Sequence, residues 1–295
     1  AYAVTQLAGL QVRGAGKRVV IFNLTLMLPT VVFNGAYWGQ CDVIYTSLCL
    51  TALYMALQKK SARSMILFGM ALSFKLQTVF FLPALLPLWL RKDIKLRHLA
   101  LIPAAYMAMM IPAFWGGKSL HHALTVYTAQ ASTYNFMTVN GPSLYNFLPA
   151  SMDKGMLYTM FSGMAMALGM AMLAIVCLMV CLHREHIMRE GTLLTCLLVL
   201  GGVPFFLPKM HERYTFGADV LALAIAAYNP KRVWLPLLFG LSSYICYTAG
   251  LPGDAIFDLK WATVFQGAAV ALTAAALYRS LNEEKAEAAL AEVKA

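Results

Sequence analysis

The chain has 295 residues, of which 60% are apolar and only 12% charged, with a mean hydropathy of +0.67. An ordinary soluble domain is nearer half apolar and a quarter charged, so this composition excludes a soluble globular enzyme and a disordered chain. The net charge of +10 raises nucleic acid as a partner, but no basic patch is interleaved with aromatics in a polar segment, and no nucleic acid is expected.

The expected fold class is all-α: a polytopic integral membrane helical bundle with a broken-helix hairpin and an outer-face loop. Residues 1–10 are apolar and read as the end of another membrane helix. They are no signal peptide, because the charge follows the apolar run instead of preceding it. A further N-terminal portion upstream of Ala1 is expected. Seventeen of the 23 Lys and Arg then fall in six short clusters. These are Arg13, Lys17 and Arg18; Lys59, Lys60 and Arg63; Arg91, Lys92, Lys95 and Arg97; Arg184 and Arg189; Lys231 and Arg232; and Arg279, Lys285 and Lys294. Cationic loops stay cytoplasmic, so all six clusters are placed inside. The apolar runs then alternate consistently: 19–33 exits, 43–57 returns, 98–114 exits, 156–182 returns, 192–207 exits, 215–228 returns, 233–249 exits and 259–278 returns.

Residues 64–90 form one apolar run with basic clusters at both ends, so it reads as a hairpin of two short helices. Its turn falls near Lys75 and Gln77, and Pro83 and Pro87 distort the second arm. Broken membrane helices are tolerated only where their backbone is buried in protein or lines a polar cavity, so the hairpin is a candidate wall of a site. The bundle is placed at residues 1–281, with about ten membrane segments of which the first is incomplete. Residues 282–295 form a charged cytoplasmic tail. Three groups remain on the outer face, residues 34–42, 115–154 and 209–214, and the polar residues with plausible chemistry gather in them.

The sequence Asn34-Gly35-Ala36-Tyr37-Trp38-Gly39-Gln40-Cys41-Asp42, followed by Tyr45, offers an acid, an amide and three aromatic rings. Gln40 and Asp42 suit sugar hydroxyls, while Trp38 and Tyr45 suit the apolar face of a pyranose. The alternative is an interfacial aromatic belt with Asp42 as a helix N-cap. The run Pro208 to Tyr214 suits an anion, with Arg213 as a planar fork, Lys209 as a point charge and His211 as a donor. Its alternative is a solvated turn with a Glu212–Arg213 or Lys209–Glu212 pair. His211, Thr215 and Asp219 share one face if that segment is helical, which puts Asp219 about two turns into the membrane. Lys75, in Phe74-Lys75-Leu76-Gln77, is either functional or a lysine reaching out to headgroups. Tyr134, Asn135, Asn140, Gly141, Pro142, Tyr145 and Asn146 mark a loop suited to a lid or to an interfacial helix. His121 and His122 lack a third ligand, so no metal is expected. The cysteines Cys41, Cys49, Cys177, Cys181, Cys196 and Cys246 form no CxxC pair and read as small apolar side chains.

Taken in order, NGAYWGQCDVIY (34–45), SFKLQ (73–77), NGPSLYNFLP (140–149) and LPKMHERYTF (207–216) resemble the GT-C superfamily of polytopic glycosyltransferases. The nearest likeness is to bacterial and archaeal proteins related to GPI mannosyltransferases and to the glucosyltransferases of dolichol-linked oligosaccharide synthesis. It runs from about residue 18 to 230. The resemblance implies a hexosyltransferase that takes a sugar from a polyprenyl-phosphate carrier and passes it to a lipid- or glycan-linked acceptor. The site would face outward or lumenally, in a bacterial or archaeal plasma membrane or, in a eukaryote, the ER membrane. It implies that the lipid phosphate rests near His211 to Tyr214, with Lys209 and Lys75 adding charge, and that WGQCD lines the same cavity. Trp38, Gln40, Tyr45, Gln77, Asn140, Tyr145 and Asn146 are then candidates for sugar and acceptor. The family's base is an Asp in the first outer loop, which nothing before residue 18 supplies. Either the base lies upstream of Ala1 or Asp42 takes its place. No cofactor is expected. A transporter of a polar or anionic solute and a catalytically inactive membrane subunit are the alternatives.

Overall fold

The computed structural model describes residues 1–131, 133–149, 151–185, 187–251 and 256–293, without the side chains of 131 and 284–293. Fourteen α-helices occupy these residues. The first six are α1 (Tyr2–Ala8), α2 (Ala15–Leu26), α3 (Pro29–Val31), α4 (Asp42–Leu57), α5 (Ser61–Phe74) and α6 (Leu85–Leu90). They are followed by α7 (Leu101–Met109), α8 (Ile111–Trp115), α9 (Leu120–Ala131), α10 (Lys154–Leu182), α11 (Arg189–Phe206), α12 (Phe216–Tyr228), α13 (Trp234–Gly250) and α14 (Leu259–Val293). The tail expected at 282–295 continues α14 as far as Val293. The Lys285 side chain and Lys294 lie outside the described residues.

Among the described residues five helical stretches are long and apolar enough to cross a membrane: Leu96–Trp115, Lys154–Leu182, Arg189–Phe206, Pro230–Gly250 and Leu259–Glu283. The other expected crossings are shorter. Helix α4, with 16 residues, spans about 24 Å at 1.5 Å per residue, less than the roughly 30 Å hydrocarbon core. The run expected to exit at 19–33 is broken, because α2 and Pro29–Tyr37 meet at 53°. Pro29, the first residue of α3, lacks the N–H that would continue the ladder. Residues 32–37 then widen into a π-helix.

Helix α11 is the axis of the bundle and is buried along nearly its whole length. Gly201 makes this possible: a Cβ there would come within 2.6 Å of the Phe239 ring. The freed approach also lets Gln266 Nε2 donate to the Gly201 carbonyl at 2.8 Å. Helix α10, with 29 residues, turns most of its Met-rich surface outward and is largely unburied. Asp153 caps it, accepting from the Met156 N–H at 2.9 Å.

The hairpin is present. Helix α5 ends at Lys75, whose backbone is extended (φ −159°, ψ 135°), and the chain returns through residues 76–90. The returning arm differs from the expected helix, because Leu76–Ala84 winds as a 3-10 helix with Pro83 inside it. At the far end, the Lys95 N–H donates to Ser61 Oγ at 2.9 Å, bringing the two basic flanks together. Arg91 pairs with Asp93 at 2.7 Å and donates to the Ile187 carbonyl at 2.6 Å. Arg232 pairs with Glu190 at 2.9 Å, and His183 meets Asn282. The described members of five of the six cationic clusters, with Arg279 beside Arg232, are thus gathered at one end of the bundle. Cysteines placed near Lys60 and near Arg91 are therefore expected to react with an impermeant thiol reagent from one and the same side. Labelling from opposite sides would replace the hairpin by a straight span.

The fold departs from all-α at one point. Residues Thr138–Val139 (β1) and Met210–His211 (β2) form a two-residue parallel ladder at the end opposite the basic loops.

Candidate functional site

The site is built where α4 begins, the hairpin turns, and β1 meets β2. Gly39 (φ 69°) supplies the left-handed residue that turns the π-helix into α4, and the Gln40 N–H closes the turn on the Asn34 carbonyl at 2.9 Å. This fold-back sets Asn34 over Asp42. Asp42 has no exposed surface. Its Oδ1 meets Lys75 Nζ at 2.5 Å, and its Oδ2 accepts from Asn34 Nδ2 at 2.9 Å. The same Nδ2 reaches the Tyr247 hydroxyl at 3.2 Å, and Thr30 Oγ1 donates to that hydroxyl at 3.3 Å. Lys75 therefore turns inward onto a carboxylate, 5.8 Å from the centroid of the Tyr45 ring, instead of reaching out to headgroups. Asp42 is the first residue of α4 and not its cap, which is Cys41. A carboxylate in that first turn is favoured by the helix dipole.

The 207–214 segment is stitched to the loop before it. The Lys209 N–H (φ 65° at this residue) donates to the Phe136 and Met137 carbonyls, and the Glu212 N–H donates to the Val139 carbonyl at 3.2 Å. Gly141 sits where a Cβ would come within 2.7 Å of the Met210 carbonyl oxygen, so only glycine fits that approach. Tyr145, whose ionisation burial pushes up to about 12, donates its hydroxyl proton to the Phe206 carbonyl at 2.7 Å. Asn146 Nδ2 donates to the Gly141 carbonyl and to Thr263 Oγ1, both at 2.9 Å. Asn140 takes a left-handed backbone (φ 55°) and bridges to His211. Asn140, Tyr145 and Asn146 thus brace the loop against β2, α11 and α14.

Between this loop, α10 and the returning hairpin arm lies a cavity of about 540 Å³. Its polar end is formed by Gln77, Lys209, His211 and Tyr214, and its apolar walls include Phe80, Met166 and Leu207. The His211 ring lies 5.1 Å from the centroids of Tyr134 and of Tyr214. Burial, with the Arg213 and Lys75 charges, pushes its pKa down to about 4, so at neutral pH it is a neutral donor and acceptor. Lys209 Nζ is 5.0 Å from the Tyr158 centroid and 3.4 Å from Asn135 Oδ1. Gln77 Oε1 is buried without a hydrogen-bond donor.

Glu212 and Arg213 lie outside this lining. The Arg213 guanidinium sits 5.2 Å from the Trp38 ring centroid, and its Nε is buried without an acceptor. Neither the Glu212–Arg213 nor the Lys209–Glu212 ion pair forms among the described residues. Glu212 is itself buried, and burial raises its proton affinity, with its own backbone N–H and Arg213 acting in the opposite sense.

The helical face expected for His211, Thr215 and Asp219 does not exist. His211 belongs to β2, and α12 begins at Phe216, so only Thr215 and Asp219 are joined, the Asp219 N–H donating to the Thr215 carbonyl at 3.1 Å. Trp38, Gln40 and Tyr45 surround the Asp42–Lys75 pair in sequence and turn, with Trp38 and Gln40 half-buried and Tyr45 buried. Three members of this cluster carry no site role on sequence alone: Asn34, Tyr247 and Glu212. Asn34 heads the quoted motif, and Tyr247 stands three residues before Gly250 at the end of its helix, but only the folded chain shows that they meet. Among the described residues no group of three or more His, Cys, Asp or Glu is placed to hold a metal ion. The six cysteines are free. Comparison of the chain with models of known families, with curated proteins and with solved structures yields no match.

Proposed function

We propose that this protein is a membrane glycosyltransferase that moves a hexose, mannose or glucose, from a polyprenyl-phosphate donor to a lipid- or glycan-linked acceptor. Its site would face the outer or lumenal side of the membrane. The observation that carries this reading is the two-sided cavity. Lys209, His211, Tyr214 and Gln77 close one end, while Phe80, Met166 and Leu207 line a wall running along α10, whose outer surface suits lipid. Its volume falls within the roughly 300–1,000 Å³ usual for ligand sites. A polyprenyl phosphate has the matching polarity: an anionic head that needs donors and cations, and a tail that needs an apolar groove.

Displacement at the anomeric carbon requires stabilisation of the departing phosphate. Lys209 and the neutral His211 N–H lie on the cavity, with the charges of Lys75 and Arg213 near enough to bear on His211. Arg213, with an unsatisfied Nε held against an indole, has hydrogen-bonding capacity left for an anion. Trp38, against the guanidinium, offers a ring for the apolar face of a sugar, and Gln40, in the turn before Asp42, offers an amide for its hydroxyls.

A photoreactive residue at Met166 should capture a radiolabelled polyprenyl phosphate. Unlabelled polyprenyl phosphate should compete, and the uncharged prenol should not. The same group at Leu237, exposed on α13, should capture only what any lipid-facing position does. Equal capture at both positions, or equal competition by the prenol, would count against the reading.

A further inference from the structure

We propose that Glu212 is the base that takes the proton of the acceptor hydroxyl, an inference that rests on the glycosyl-transfer reading above. Two carboxylates, Asp42 and Glu212, lie near Lys75, and the fold treats them differently. Asp42 is closed off, with one oxygen on Lys75 and the other on Asn34. Glu212 is 3% exposed and makes no ion pair among the described residues. Its side chain is packed on the end of α13: a Cβ at Gly250 would stand 3.1 Å from Glu212 Cγ and 3.4 Å from its Oε2. That glycine leaves room for the carboxylate.

Position supports the same assignment. Met210, His211 and Tyr214 line the cavity, and Glu212, between them in sequence, lies outside that lining against Gly250, with the charges of Arg213, Asp42 and Lys75 near enough to bear on its carboxyl. A hydroxyl that attacks opposite a departing phosphate needs its base on the face away from the leaving group. The acceptor oxygen forms its bond to the anomeric carbon as the bond from that carbon to the phosphate oxygen breaks. The electron pair leaves with the polyprenyl phosphate, and the hydroxyl proton passes to a Glu212 carboxylate oxygen. The groups that face Glu212 are Arg213 and Tyr214 from its own segment, Asp42 from the start of α4, Lys75 from the hairpin turn and Cys246 from α13. Burial and Asp42 raise its proton affinity, against Arg213, Lys75 and its own backbone N–H, and a base whose pKa lies nearer the working pH is the more effective one.

The test uses the full chain in proteoliposomes with a labelled polyprenyl-phosphate hexose. It compares a hydroxyl acceptor with azide, an anionic nucleophile that needs no base. Glu212→Gln should keep donor binding, lose transfer to the hydroxyl by about 10²- to 10⁴-fold, and still form the glycosyl azide. Glu212→Asp should retain partial transfer. The wild-type rate should fall with acid through a limb above the ordinary carboxylate range, and that limb should be absent from the residual rate of Glu212→Gln. Gly250→Ala, which crowds the carboxylate without removing it, should lower the maximal rate and leave donor binding in place. Near-normal hydroxyl transfer by Glu212→Gln would overturn the assignment, and so would loss of the azide reaction along with it. Azide-selective survival in Asp42→Asn instead would give the role to Asp42. A wild-type protein that binds donor but transfers to neither nucleophile would overturn the glycosyl-transfer reading itself.

Discussion

Replacing Asp42 by Asn should destabilise the fold by about 3–5 kcal/mol, the usual cost of leaving one member of a buried ion pair without its partner. Asp42 is wholly buried and the Lys75 side chain is 13% exposed, so little water is available to take over the ammonium's solvation. The loss also reaches further than one pair. Lys75 is the extended residue at which the hairpin turns, so its anchor on α4 sets where the returning arm begins. Removing both charges, as Asp42→Asn with Lys75→Met, should recover much of the loss, because the desolvation penalty disappears together with the attraction. Thermal unfolding of the four proteins in one detergent reads this coupling directly. Strictly additive single effects would show that the pair is not coupled in the folded state.

The second large effect is expected at Arg213. Charge-assisted hydrogen bonds contribute on the order of 1.5–3 kcal/mol each, or about 10- to 150-fold in affinity. Arg213→Gln should raise the apparent donor constant by a factor in that range, and should lower the maximal rate as well if the same phosphate carries the charge of the transition state. Arg213→Lys should recover only part, because an ammonium reproduces neither the fork nor the planar contact with Trp38. Trp38→Ala should weaken donor binding less than Arg213→Gln does, since it loosens the guanidinium without removing it. Unchanged donor kinetics in both Arg213 variants would remove this residue from the phosphate site.

What the sequence made legible follows from how local the signal was. The hairpin could be read because two features lie within one run: basic residues at both ends and a lone Lys75 in the middle. The common end of the basic loops could be read because cationic clusters recur between apolar runs, and those around Ser61, Arg91, Ile187 and Arg232 do meet at one end. Helix continuity could not be read in the same way. No charge interrupts residues 19–33, but Pro29 and the π-turn break the rod there. The loop amides show a second limit. Asn140, Tyr145 and Asn146 have the composition of a sugar site, but Tyr145 bonds the Phe206 carbonyl, Asn146 bonds the Gly141 carbonyl and Thr263, 117 residues away, and Asn140 bridges to His211. The spacing of His211, Thr215 and Asp219 would set them on one face only if the segment were helical. A left-handed Lys209 and pairing with Thr138–Val139 put His211 in an extended segment instead. The partners Asn34, Asp42 and Tyr247, with 213 residues between the first and last, meet only through packing that no local pattern encodes.

The central claim is that the cationic end of the cavity holds the phosphate of a lipid-linked sugar so that the sugar can be transferred. The most direct measurement is made on the purified chain in sealed proteoliposomes supplied with radiolabelled polyprenyl-phosphate mannose or glucose and a membrane extract as acceptor. Label should move from the donor into an acceptor fraction, with release of polyprenyl phosphate, and Arg213→Gln should slow this at limiting donor. Label that accumulates inside the vesicles as unaltered solute, or donor that is neither bound nor consumed, would contradict the claim.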